Sequence, residues 1–116
     1  MSCDNTRRKG ADAEEMVCRH LEKNGLRILE RNFAARSGEI DIIALDGESL
    51  CFIEVKSASG DFAPPEMKVN VSKQKKIIKT AQIYISKKRP SSEDFRFDVV
   101  SVTKKGIELY KDAFRT

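Results

Sequence analysis

The stretch GEIDIIALDGESLCFIEVK, residues 38–56, decides how the rest of the chain is read. Apolar residues alternate with others on both sides of Asp46-Gly47, the pattern of two half-buried strands joined by a tight turn. Asp-Gly accepts the positive φ angles of a type I′ turn, so strands are expected over residues 39–45 and 49–56, with Asp46 and Gly47 at the centre of the turn. That register sets Asp41 opposite Phe52 and Glu39 opposite Glu54. Cross-strand partners point the same way, so Glu39, Asp41, Glu54 and Lys56 fall on one face, apolar near the turn and charged away from it.

Charge at one end of a core sheet needs a physical reason. Asp41 and Glu54 become diagonal neighbours, roughly 7–8 Å apart at Cα, within reach of a single cation. Two carboxylates this close repel, and Lys56 offsets only part of the charge. A divalent cation resolves the conflict, and an oxygen-only donor set suits Mg²⁺ or Mn²⁺. Taken alone, E-x-K is merely a solvated strand tip; the strand carboxylate before it, on the same face, turns the pattern toward a site.

Outward from the hairpin, residues 8–24 are helical in period, with Ala13, Val17, Cys18 and Leu21 on one stripe and Asn24-Gly25 as the stop. Glu14 falls inside that stripe, where a carboxylate is costly unless paired. It either joins the cation site or bonds an arginine or the backbone, and the pattern favours neither. Residues 26–33 read as a strand, with Ile28 and Leu29 on opposite faces, which leaves its facing open. Ser72 is expected to cap a second helix over residues 72–88, burying Ile77, Ile78, Ala81, Tyr84 and Ile85, with Lys73, Lys75, Lys76 and Lys79 elsewhere. Residues 95–102 and 106–114 read as closing strands, and residues 57–68, with Gly and two prolines, as a loop that is either a lid or a connector. The order α-β-β-β-α-β-β defines an α/β fold: a mixed five-stranded sheet flanked by helices.

Composition agrees with one domain over residues 1–116: 116 residues at 40% hydrophobic content suffice for a single core. A net charge of +4 fits a polyanionic partner without demanding one. Cys3, Cys18 and Cys51 have no CxxC spacing, which points to reduced thiols and a cytoplasmic setting. No signal-like or membrane-spanning apolar run is present, and the lone histidine, His20, reads as solvated.

The ordered set GADAE (residues 10–14), GEIDII (38–43), FIEVK (52–56), SKQKK (72–76) and RFDVVSV (96–102) resembles the bacterial YraN family, within the restriction-endonuclease-like fold whose core motif is an acidic residue on one strand and D/E-x-K on the next. The family often has Gly where Ala13 stands. The resemblance implies that Glu14, Asp41 and Glu54 bind the metal, that Lys56 orients or activates the attacking water, and that Gln74 helps hold the site or substrate. It implies phosphodiester hydrolysis in DNA, or in structured RNA, and leaves a homodimer open, because nucleases of this fold often cut two strands as dimers. The basic runs Arg7-Arg8-Lys9, residues 73–79 and Lys87-Lys88-Arg89 would bind backbone phosphates. The rival from another class is a non-catalytic nucleic-acid-binding or adaptor domain that keeps the fold; a complete acid-acid-lysine set argues against it.

Overall fold

The computed structural model describes residues 9–57 and 69–115. The choice between lid and connector for residues 57–68, and the run Arg7-Arg8, fall almost wholly outside the described residues. The order is α1 (Lys9–Lys23), β1 (Arg27–Ala35), β2 (Gly38–Asp46), β3 (Ser49–Ser57), α2 (Val71–Lys88), β4 (Asp94–Thr103) and β5 (Gly106–Phe114). The strands form one sheet in the order β1-β2-β3-β4-β5. β3 and β4 are parallel across the α2 connection, and the other neighbours are antiparallel, so the sheet is mixed as expected. No described helix is long and apolar enough to cross a membrane.

The two helices cover opposite faces. Val17, Cys18 and Leu21 of α1 are fully buried against Ile42, Ala44, Cys51, Ile53 and Val100. α1 stops through paired C-terminal bonds: Leu26 N–H donates to the Leu21 carbonyl and Gly25 N–H to that of Glu22, with Gly25 at φ 92°. Only glycine takes that angle without strain, and the Leu21–Leu26 contact closes the motif. On the other face, Ile77, Ala81 and Tyr84 of α2 sit over a row of rings. Phe33 and Phe52 meet Tyr84 edge-on at 5.2 and 6.0 Å, and Phe97 stacks on Phe52 and Phe114 at 5.5 and 5.1 Å.

Two local expectations are corrected. α2 is capped by Asn70, whose Oδ1 accepts from Lys73 N–H at 2.9 Å; Ser72 already lies inside the helix. In the hairpin, Asp46 pairs with Ser49 and Leu45 with Leu50, so the turn is centred on Gly47-Glu48 rather than Asp46-Gly47. Gly47 has φ 64° and Glu48 has no positive φ, the pattern of a type II′ turn. Asp46 stays in the strand because Arg96 Nη2 and Lys111 Nζ hold its carboxylate at 2.9 and 3.2 Å. These partners keep that carboxyl below its ordinary titration range.

The same Arg96 also donates from Nε and Nη2 to Asp98, a fully buried carboxylate that accepts the Asp112 backbone N–H as well. This lock ties β2, β4 and β5 together at the turn end of the hairpin. Asp41 and Glu54 lie away from it, toward the opposite end of the hairpin.

Candidate active site

The register shift changes the hairpin's pairing but keeps its faces. Moving the turn centre by one residue shifts both strands, so Asp41 is brought opposite Glu54 instead of diagonal to it, and Glu39 no longer faces Glu54. Ladder pairing between β2 and β3 runs only to Ile42 and Ile53. Beyond it, the Val55 N–H is taken by Asp41 Oδ2 at 2.8 Å. The carboxylate thus satisfies a backbone donor where the two strands part.

A second departure concerns Glu39. Ile42 belongs to the α1-side core and Ile40 to the α2-side core, although alternation would put both on one side. β2 therefore turns over at Asp41. Its neighbour does the same: Arg31 pairs with Ile42 and Phe33 with Ile40, and Asn32 between them has φ 52°. Glu39 is exposed and does not share the regular face expected for it with Ile43 and Leu45.

β3 is regular against β4 through Ser57, so Glu54 and Lys56 point to the same, α2-covered side. Glu54 is 7% exposed. Its Oε2 is 3.2 Å from Lys73 Nζ in the first turn of α2. Lys56 is half-buried at the same strand end. Glu14 reaches toward the cluster from α1 but is held: Arg31 Nη2 and Asn32 Nδ2 donate to its Oε1 at 3.1 and 3.2 Å. Of the two readings of this carboxylate, the structure shows the arginine bond. Gln74 spends its amide on the Val69 carbonyl at 2.8 Å, pinning the chain where it enters α2.

Burial and the nearby Glu54 push the Asp41 carboxyl up to about 7; the Val55 N–H opposes this, and Glu14 and Glu39 add to it. A carboxyl in that condition sits in an excess of negative charge. Among the described residues no three Asp, Glu, His or Cys side chains are gathered to hold one ion as they stand, Glu14 being committed to Arg31. A pair of carboxylates is nevertheless the usual protein contribution to Mg²⁺, which keeps several waters. Asp41 and Glu54, oxygen donors whose charge Lys73 offsets only in part, fit such a cation.

Sequence reading missed Arg31 and Lys73. Arg31 lay in a strand of uncertain facing, and Lys73 in a lysine run that looked uniformly solvated; neither shows a partner in local periodicity.

A mixed sheet between two helices, in the order α-β-β-β-α-β-β with acidic residues and E-x-K at one sheet end, is the architecture of the restriction-endonuclease-like class. The profile of the uncharacterised protein family UPF0102 matches residues 13–102, and the chain belongs to that family, the same one as YraN. It is 46% identical over 112 residues to a UPF0102 protein of Syntrophus aciditrophicus, covering 92% of this chain and 88% of the relative. Similar relatives occur in Geobacter metallireducens, at 43% identity with 90% of each chain covered, and in Clostridium tetani, at 45% with 91% and 93% covered.

Proposed function

We propose that the protein is a metal-dependent nuclease that hydrolyses phosphodiester bonds in DNA, or in structured RNA, with Asp41 and Glu54 as ligands of Mg²⁺ or Mn²⁺. The observation that carries this reading is the electrostatic state of Asp41: a half-buried carboxyl pushed up to about 7 beside the buried carboxylate of Glu54, at the strand end that also bears Lys56. Perturbation by burial and a specific charge neighbour is common where chemistry is done. A divalent cation there would supply a more acidic bound water and offset charge on phosphoryl oxygens.

The chain's own residues have separable tasks. Asp41 is fixed by the Val55 N–H, so its second oxygen is oriented. Lys56 offers an ammonium beside Glu54, able to donate to a water or to a phosphate oxygen as negative charge develops. Glu14, held by Arg31, adds negative field from outside the pair. Gln74 positions the entry to α2 and through it Lys73. A cytoplasmic setting belongs to the same reading, in keeping with the buried thiol of Cys51.

The test is a pair of variants in two assays. Glu54→Gln removes a ligand charge and keeps the shape, so Mn²⁺ affinity in calorimetry and cleavage of DNA should fall together. Lys56→Ala leaves both carboxylates, so metal should still bind while cleavage drops by on the order of 10²-fold or more. The adaptor reading has one observation on its side, the basic partners already held by Glu14 and Glu54. It prevails if the unmodified protein cuts no linear, branched or single-stranded DNA with Mg²⁺ or Mn²⁺ yet binds DNA in a manner indifferent to Lys56→Ala.

A further inference from the structure

We propose that Lys73 is a built-in counter-ion of the site: it neutralises Glu54 while no divalent cation is bound, gives up that carboxylate when one binds, and then presents its ammonium to the substrate phosphate. The inference rests on the metal-site reading above.

The geometry separates Lys73 from the other lysines of α2. Its Nζ lies 3.2 Å from Glu54 Oε2, and the two side chains are 45% and 8% exposed. A carboxylate so far removed from water needs a partner, and an ammonium supplies it. The lysine itself keeps nearly half its surface in solvent, so it has somewhere else to go. Its backbone does not move with it, because the Lys73 N–H is fixed on Asn70 Oδ1 and the next N–H on the Asn70 carbonyl. Only the four-carbon stem has to swing, a motion for which lysine is well suited.

Charge placement along α2 gives the arrangement a second mark. The first turn carries Lys73 and contains no acidic residue. Positive side chains are disfavoured at that end of a helix, whose free N–H groups already act as partial positive charge. Glu54 offsets the conflict in the metal-free protein. A divalent ion on Asp41 and Glu54 would remove that compensation and repel the ammonium, driving it outward. An anion arriving at the site, such as a phosphate of the substrate, is the partner that would then satisfy both the ammonium and the helix end.

Arg31 shows what the alternative looks like. Its side chain is 11% exposed and lies against both Glu14 and Glu15, so its pairing is closed in and permanent. Beside Lys56, the carboxylates thus have an enclosed cation, Arg31 on Glu14, and a half-exposed one, Lys73 on Glu54.

Two measurements test this. In Mn²⁺ calorimetry, Lys73→Met should bind more tightly than the unmodified protein, by about tenfold if the lysine occupies Glu54 about nine-tenths of the time. Lys87→Met, at the far end of the helix, should match the unmodified protein. Independently, reductive methylation of the unmodified protein, read by mass spectrometry, should modify Lys73 several-fold faster when Mn²⁺ is saturating, with Lys87 unaffected. Equal Mn²⁺ affinity of Lys73→Met and the unmodified protein, or a Lys73 modification rate that metal leaves unchanged or lowers, overturns the proposal. If Mn²⁺ binds and Glu54→Gln abolishes binding in those cases, the metal site stands and only the counter-ion role falls. Binding by Lys73→Met alone overturns the exchange, because the lysine then holds Glu54 against the metal instead of yielding it. Absence of binding by every variant removes both readings.

Discussion

Asp41 is a residue at which the fold gives up stability, because burial and Glu54 both oppose its charge. Its carboxyl titrates at about 7 in the folded chain against an ordinary 3.8, so between those values the folded chain holds a proton that the unfolded chain has released. Asp41 therefore costs nothing below about pH 4; its cost grows between there and about pH 7 and is at its full value above that. Asp41→Asn keeps an oxygen for the Val55 N–H and removes the charge. It should raise the unfolding free energy from urea titration at pH 8 by on the order of 1–3 kcal/mol, with the gain vanishing at pH 4. Millimolar Mn²⁺ should narrow the difference at pH 8 by stabilising only the unmodified protein. A gain that is the same at both pH values would mean that burial and Glu54 do not load this carboxyl. The hairpin pattern expects Asp41 and Glu54 near one another, and they are, with Asp41 on the Val55 N–H and Glu54 loading its carboxyl. β2 turns over at Asp41, so alternation does not by itself account for the approach. The partners Arg31 and Lys73 were not legible, because they reach the carboxylates from β1 and α2, across layers that no local period encodes.

At the scale of elements, the site depends on two neighbouring strands turning over at the same level. Asn32, at φ 52°, lies between the residues that pair with Ile42 and Ile40, and the flip sends Arg31 to Glu14 on one side and Phe33 to Tyr84 on the other. Regular alternation in β1 would put Arg31 and Phe33 on the same face and break one of these two pairings. Asparagine tolerates the left-handed region far better than a β-branched residue does. Asn32→Val should accordingly cost roughly 1–3 kcal/mol of unfolding free energy, whereas Asn32→Gly, which keeps the backbone angle but removes the bond to Glu14, should stay within about 1 kcal/mol. Equal losses in denaturant titrations would place the cost in the side-chain bond instead of the backbone. This irregularity could not be read from the sequence, because RILERNFAA looks like an ordinary strand and its ambiguous facing was the only trace. The hairpin, the C-terminal stop of α1 and the core stripe of α2 were legible, since each depends on period, glycine and apolar spacing within one element. Thr80 was the exception in α2: it is fully buried because its hydroxyl bonds Ser37 Oγ at 2.6 Å and the Lys76 carbonyl at 2.8 Å.

Across the whole molecule, the parallel pairing of β3 with β4 decides where positive charge gathers. Ser57 pairs with Val102, so the Lys104-Lys105 turn that follows β4 lies at the same end of the sheet as Lys56. The Lys73–Glu54 ion pair brings the start of α2 to that end too, and Lys75, Lys76 and Lys79 are exposed along its first half. Lysines that look like separate solvated runs in the sequence thus bracket the carboxylates, whereas Lys87 and Lys88 sit at the far end of the helix. A polyanion lying over the site would meet the first group and miss the second. Replacing Lys75 and Lys79 with alanine should weaken duplex DNA binding about equally for all sequences, and lower the slope of log affinity against log salt by roughly 0.9 for each phosphate that no longer has a lysine partner. Replacing Lys87 and Lys88 should leave that slope nearly unchanged. If both pairs reduce it equally, attraction follows the net charge of +4 alone, and the arrangement of lysines around Asp41 and Glu54 has no part in holding a substrate.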